Sequence, residues 1–109
     1  MIIATRIFRI IGDDDDVEVP VHIHMPVEDD RCWRCDYELG FPRHPRKFHA
    51  YGIDGVQALQ LAMFALGAEL WANPWHHAGQ LIWIDDDPTY GFPAELPEEA
   101  GREDAHRAG

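Results

Sequence analysis

Cys32-Trp33-Arg34-Cys35, with His22-Ile23-His24 upstream, is where the types and spacing of residues come nearest to chemistry. Two cysteines and two histidines form a ligand set for tetrahedral zinc. The pleat of a strand works against the full set. Residues three apart point to opposite faces, so Cys32 and Cys35 diverge unless Cys32 belongs to a turn. A smaller metal cluster of His22, His24 and Cys32 on one polar face is the remaining alternative, with Cys35 as a fourth ligand only if its strand starts late. The plainer reading makes Cys35 a small core residue and leaves the histidines on the surface beside Asp36 and Glu38. One C-x-x-C without a second ligand pair is a weak signal, so the plainer reading is preferred. Redox use would need a helix N-terminus to lower the first thiol's pKa, and here the motif opens a strand.

The remaining chemistry is thin. Asp13 to Asp16 and Asp85 to Asp87 lack the alternating oxygens and the glycine of a calcium loop, and read as solvated turns. His76-His77 has no identifiable nucleophile to serve and reads as loop. The chain contains no serine, and its single lysine is Lys47, which excludes serine hydrolases and leaves one candidate for a Schiff base. No catalytic residues and no cofactor are expected.

The elements that must position these residues follow from hydrophobic period. Residues 3 to 11 read as a first strand. Val17, Val19, Val21, Ile23 and Met25 alternate with Glu18, Pro20, His22 and His24, a period of two that marks a half-buried strand. Pro20 cannot donate to a ladder, which places it at an edge or a bulge. After a loop over residues 26 to 31, a third strand sets Trp33, Cys35, Tyr37 and Leu39 on one face and Cys32, Arg34, Asp36 and Glu38 on the other. If the two apolar faces coincide, paired residue numbers sum to an even value. His24 then opposes Cys32 or Arg34, and His22 opposes Arg34 or Asp36.

Gly40, Pro42, Pro45 and Gly52 make residues 40 to 52 a connection. Its Arg43, His44, Arg46, Lys47 and His49 are the chain's basic patch, read as a solvated loop. Asp54 as N-cap, with Gln57 three residues on, opens a helix whose Val56, Leu59, Ala62, Met63, Leu66 and Leu70 form one apolar stripe. Asn73-Pro74 ends it. Leu81 to Ile84 reads as a last strand buried on both faces. The expected fold is α+β: an antiparallel sheet of about four strands, in the order β-β-β-α-β, with one long helix on one face.

A length of 109 residues suits one domain, expected over residues 1–93, with 94–109 as an acidic, mobile C-terminal tail. The tail holds five acids and two arginines, so the net charge of −11 belongs mainly to the domain. That field disfavours nucleic acid and anionic membrane. No signal peptide or membrane span is legible, and two cysteines are too few for a disulfide scaffold, which points to the cytoplasm. Composition rich in Arg, Ala, Asp and Gly fits a GC-rich bacterial genome.

Two surfaces stand out. One is the polar sheet face of Glu18, His22, His24, Arg34, Asp36 and Glu38, open if the helix lies opposite. The other is the helix back, where Phe64 and Trp71 lie well away from the Leu59 stripe. Either the segment from Trp75 to Phe92 covers it, which is the favoured reading, or a second copy does.

Gly52-Ile53-Asp54-Gly55-Val56-Gln57-Ala58-Leu59, Trp33-Arg34-Cys35 and Gly91-Phe92-Pro93 resemble the motifs of a family of small bacterial domains of unknown function. The resemblance spans roughly residues 4 to 93 and implies one domain, without an activity. The functional expectation is a small acidic non-enzymatic domain that binds a protein, such as an immunity- or inhibitor-like protein for a basic partner. The alternatives are the zinc site and a homodimeric structural or regulatory subunit.

Overall fold

The computed structural model of the chain describes residues 1–84 and 89–93. In order, these form β1 (Ile2–Ile10), β2 (Val17–His24), β3 (Val27–Asp29), β4 (Cys32–Leu39), β5 (Arg46–Gly52), α1 (Gly55–Ala72), α2 (Pro74–His77) and β6 (Leu81–Ile82). The strands make one antiparallel sheet with β4 at its centre. On one side β4 pairs with β5; on the other it pairs first with β3 and then with β2. β1 lies beyond β2, and β6 pairs with the end of β1. The class is α+β with one main helix, as expected, but the sheet has six strands rather than about four.

Both extra strands hide behind turn residues. β3 is three residues long, too short for a period to register, and Asp30 at φ 64° turns it directly into β4. β5 occupies half of the stretch read as a connection. Pro42, Pro45 and Gly52 mark its ends, yet Arg46, Phe48 and Ala50 alternate with Lys47, His49 and Tyr51 between them. The last strand is shorter than its apolar run. Only Leu81 and Ile82 pair, at a sheet edge, and Ile84 is 57% exposed, so burial on both faces does not occur. His76 and His77 lie in the short helix α2 rather than in a loop. The acid run Asp85 to Asp87 and the tail 94–109 lie outside the described residues.

Alternation along β2 and β4 works as expected. Val19, Val21 and Ile23 are buried with Cys35, Tyr37 and Leu39 on the inner face, joined by Phe8 and Ile10 of β1. Val17 and Met25 run past the core and are exposed. Pro20 stands just beyond the β2–β4 ladder, where its carbonyl accepts from the Gly40 N–H at 2.8 Å.

Two covers close the inner face. The first is α1, packed on β4 and β5. Asp54 caps it, accepting from the Gln57 N–H at 2.8 Å, while Gln57 Oε1 accepts from the Ile53 N–H at 2.8 Å. Ala58, Ala62, Leu66, Gly67 and Leu70 are the buried face; Leu59 and Met63 flank it, and Val56 is 75% exposed rather than part of the stripe. The second cover is the returning segment 89–93. The Phe8 ring meets Tyr90 edge-on at 5.5 Å and Phe92 at 6.4 Å. Arg6 lies between Trp83 and Phe92, at 4.0 and 4.9 Å from the ring centroids, and donates to the Tyr90 carbonyl at 3.1 Å. A Cβ on Gly91 would sit 2.4 Å from both Arg6 Nη1 and the Trp83 ring, so glycine is what admits this clamp.

The helix begins against the sheet with no side chain between them. A Cβ on Gly52 would lie 2.4 Å from the Ala58 nitrogen and 2.8 Å from the Gln57 carbonyl carbon. Both neighbours are backbone, so Gly52→Ala must shift the helix, and a loss of about 1–3 kcal/mol is expected in urea denaturation. Tyr37 supplies a second test. Burial first, and the Glu69 carboxylate next, hold its phenol well above its ordinary pKa of 10.0. The stability it contributes is complete below the unfolded value and is lost as pH rises through the folded one. Stability should therefore fall above about pH 10, and Tyr37→Phe should flatten that fall; Tyr90, raised by burial, retains the remainder.

Candidate binding face of the sheet

The side of the sheet away from α1 carries all six polar residues expected on it. From β2 come Glu18, His22 and His24; from β4 come Arg34, Asp36 and Glu38. The even-sum register holds, but His22 pairs with Glu38, two residues further along β4 than the nearer expectation. His24 then lies within 2.8 Å of Glu38 through Nε2 and Oε2. Arg34 donates from Nε to Asp36 at 2.9 Å and from Nη1 to Asp29 of β3 at 3.1 Å. Asp36 chiefly, and Asp29 after it, raise the guanidinium's pKa, so it is charged at every accessible pH. On β1, Arg9 pairs with Asp16 at 2.8 Å.

The same shift of register separates the cysteines from the histidines. Cys32 pairs with Asp29 of β3 at the far end of β4, and its thiol donates to the Asp29 carbonyl at 3.2 Å. Cys35 is buried on the inner face, where its thiol donates to the His24 carbonyl at 3.3 Å, and burial pushes its pKa up. The cluster of His22, His24 and Cys32 is therefore not brought together. Among the described residues, no group of three or more His, Cys, Asp or Glu is placed to hold a metal ion.

β5 adds a row that the sequence reading did not foresee, because those residues were assigned to a connection. Lys47 stands opposite Glu38, His49 opposite Asp36, and Tyr51 opposite Arg34. The signal was present: residues 46–51 contain no glycine or proline and alternate by polarity. Together the two rows line a cleft of about 400 Å³, with His24 at one side. It offers acceptors (Asp36, Glu38), donors (Arg34, Lys47) and two imidazoles in neighbouring positions.

Thr5 and His22 bring a hydroxyl within 2.9 Å of an imidazole nitrogen. A nucleophile activated by histidine also needs that ring oriented from its other nitrogen. The nearby carboxylate, Glu38, is engaged by His24 instead.

The second surface is only partly open. Trp71 is half-buried and stacks on His76 at 4.9 Å, and His76 Nδ1 shares a hydrogen bond with the Tyr90 hydroxyl. The segment after α1 thus covers Trp71 within the chain, while Phe64 remains 39% exposed. No described helix is long and apolar enough to cross a membrane.

A family model described as a domain of unknown function (DUF6968) matches residues 4–94, which take in helix α1 and all of the sheet but the first two residues of β1. No curated protein and no solved structure matches the chain.

The thiols give a direct check of this geometry. With a chromogenic disulfide at neutral pH, one thiol, Cys32, should react quickly in the folded protein. Cys35 should react only on unfolding, and Cys35→Ala should leave the fast phase unchanged. Arg34→Ala should leave the midpoint of thermal unfolding nearly unchanged, because its pairs face water.

Proposed function

Given that the chain belongs to the DUF6968 family, we propose that it is a non-enzymatic binding domain whose open sheet face engages a basic protein partner, as an immunity protein or inhibitor masks its target. The observation that carries this reading is the polar face, which no described element covers. Both inner covers, α1 and residues 89–93, lie on the opposite side of the sheet. The outer face therefore leaves Glu18, Asp36 and Glu38 where a partner can reach them. Long-range attraction by a chain of net charge −11 accelerates encounter with a cationic surface. The short-range pattern of donors and acceptors around the cleft then selects the register of docking.

The test is capture from a lysate of the source organism by wild-type protein and by Asp36→Lys/Glu38→Lys, at low and high salt. The expected result is one stoichiometric basic protein, bound by the wild type at low salt, released as salt rises, and absent from the variant. Equal capture by the variant, or binding that ignores salt, refutes the proposal.

Leu61 and Phe64, neighbours on the back of α1 and both partly exposed, support a second reading as a homodimeric structural or regulatory subunit. Phe64→Glu should then halve the hydrodynamic mass. A wild type that is already monomeric at high concentration removes this reading.

A further inference from the structure

On the inner side of the sheet, a groove of about 640 Å³ runs between the C-terminal half of α1 and the edge of β5. Among the described residues β5 pairs only with β4, and no further strand closes that side. Phe41, Phe48 and Trp75 line the groove together with Ala65, Ala68 and Ala72 of α1. Phe41 and Trp75 stack at 5.3 Å with their planes 16° apart, which presents a flat apolar wall. The volume lies within the range of small-molecule sites, and the lining is the usual one: mostly apolar, with a few polar groups brought together.

Those polar groups decide what fits. Tyr37, 1% exposed, donates its hydroxyl to Glu69 Oε2 at 2.9 Å, and Arg46 donates from Nε to Glu69 Oε1 at 2.5 Å. Both carboxylate oxygens are thereby engaged and the acid's charge is matched. Arg46 is used less fully. Its guanidinium lies 5.5 Å from the Phe48 ring centroid and its side chain is about half exposed. Among the described residues, its terminal Nη groups donate to no acceptor. His44 stands beside it in the lining. A guanidinium with free parallel donors is complementary to a carboxylate, and the groove behind it to a hydrocarbon body. Arg46 and Glu69 offset one another, so this groove is close to neutral on a chain of net charge −11, and an anionic head group meets no net repulsion from its lining.

We infer that the groove between α1 and β5 binds a small carboxylate-headed amphiphile, with Arg46 holding the head group and the aromatic walls holding the apolar body. This site lies across the sheet from the protein-binding face and is independent of it.

The experiment is calorimetric titration of the full chain with dodecanoate below its aggregation concentration, with dodecanol and dodecylammonium as matched controls. Dodecanoate should bind saturably at one site, and dodecanol about tenfold or more weakly, the loss expected for a charge-assisted contact. Ala68→Phe, on an exposed turn of the helix, should fill the groove and abolish binding while the circular dichroism stays native. Arg46→Gln frees the Glu69 carboxylate and should invert the preference, from dodecanoate to dodecylammonium. Three results would each overturn the inference: no saturable binding of dodecanoate, equal binding of the alcohol, or wild-type affinity in Ala68→Phe. An Arg46→Gln protein that still prefers dodecanoate would do so as well, by taking the head group away from Arg46.

Discussion

The contact on which the rest of the structure depends is the approach of helix α1 to Gly52. At the end of β5 the chain turns through Ile53 and Asp54 and sets the backbone of Gln57 and Ala58 directly on a residue without a side chain. Trp33, paired with Gly52 on β4, lies close to Gly55 at the helix start. Once the first turn is held there, Ala58, Ala62, Leu66 and Leu70 descend along β4 and β5, and no other face of the helix can be the buried one. Close packing of backbone on backbone tolerates no added methyl, which makes this a constraint of geometry more than of hydrophobicity.

Placing α1 over β4 and β5 leaves β1 and β2 without a helical cover on the inner side. The returning segment fills that gap with Tyr90 and Phe92, and the Arg6 clamp admitted by Gly91 ties it down. The three stretches that carry the family resemblance thus have one structural meaning. Gly52 to Leu59 seats the helix, Trp33 to Cys35 forms the strand against that seat, and Gly91 to Pro93 closes the other half of the core. Of their residues only Arg34 lies on the outer face, so a motif built from them marks chiefly the fold.

A sheet one layer thick separates two surfaces of opposite character. Outside, acids and bases alternate and satisfy one another while facing water, which costs little and adds little stability. Inside, beside α1, a single carboxylate is enclosed by a phenol and a guanidinium at the end of an apolar groove. The same strands supply both sides, because β4 and β5 send alternate residues in opposite directions. Asp36 and Glu38 belong to the polar cleft, and Tyr37 between them belongs to the groove.

Local sequence determined what depends on local physics. The period of two in β2 and β4, the Asp54–Gln57 cap, the stop at Asn73-Pro74 and the common face of Glu18, His22, His24, Arg34, Asp36 and Glu38 were all legible, since each follows from neighbouring residues and a fixed repeat. Tertiary structure decided the register, which parts Cys32 from His22 and His24, because alternation specifies a strand's face but not its slide along a partner. It also decided the fate of residues 46–52, where flanking prolines and glycine read as a connection until β4 offered them an edge to pair with. From that pairing come Lys47, His49 and Tyr51 on one side and Arg46 and Phe48 on the other, half of each site. These are contacts between residues distant in sequence, and no local repeat encodes them.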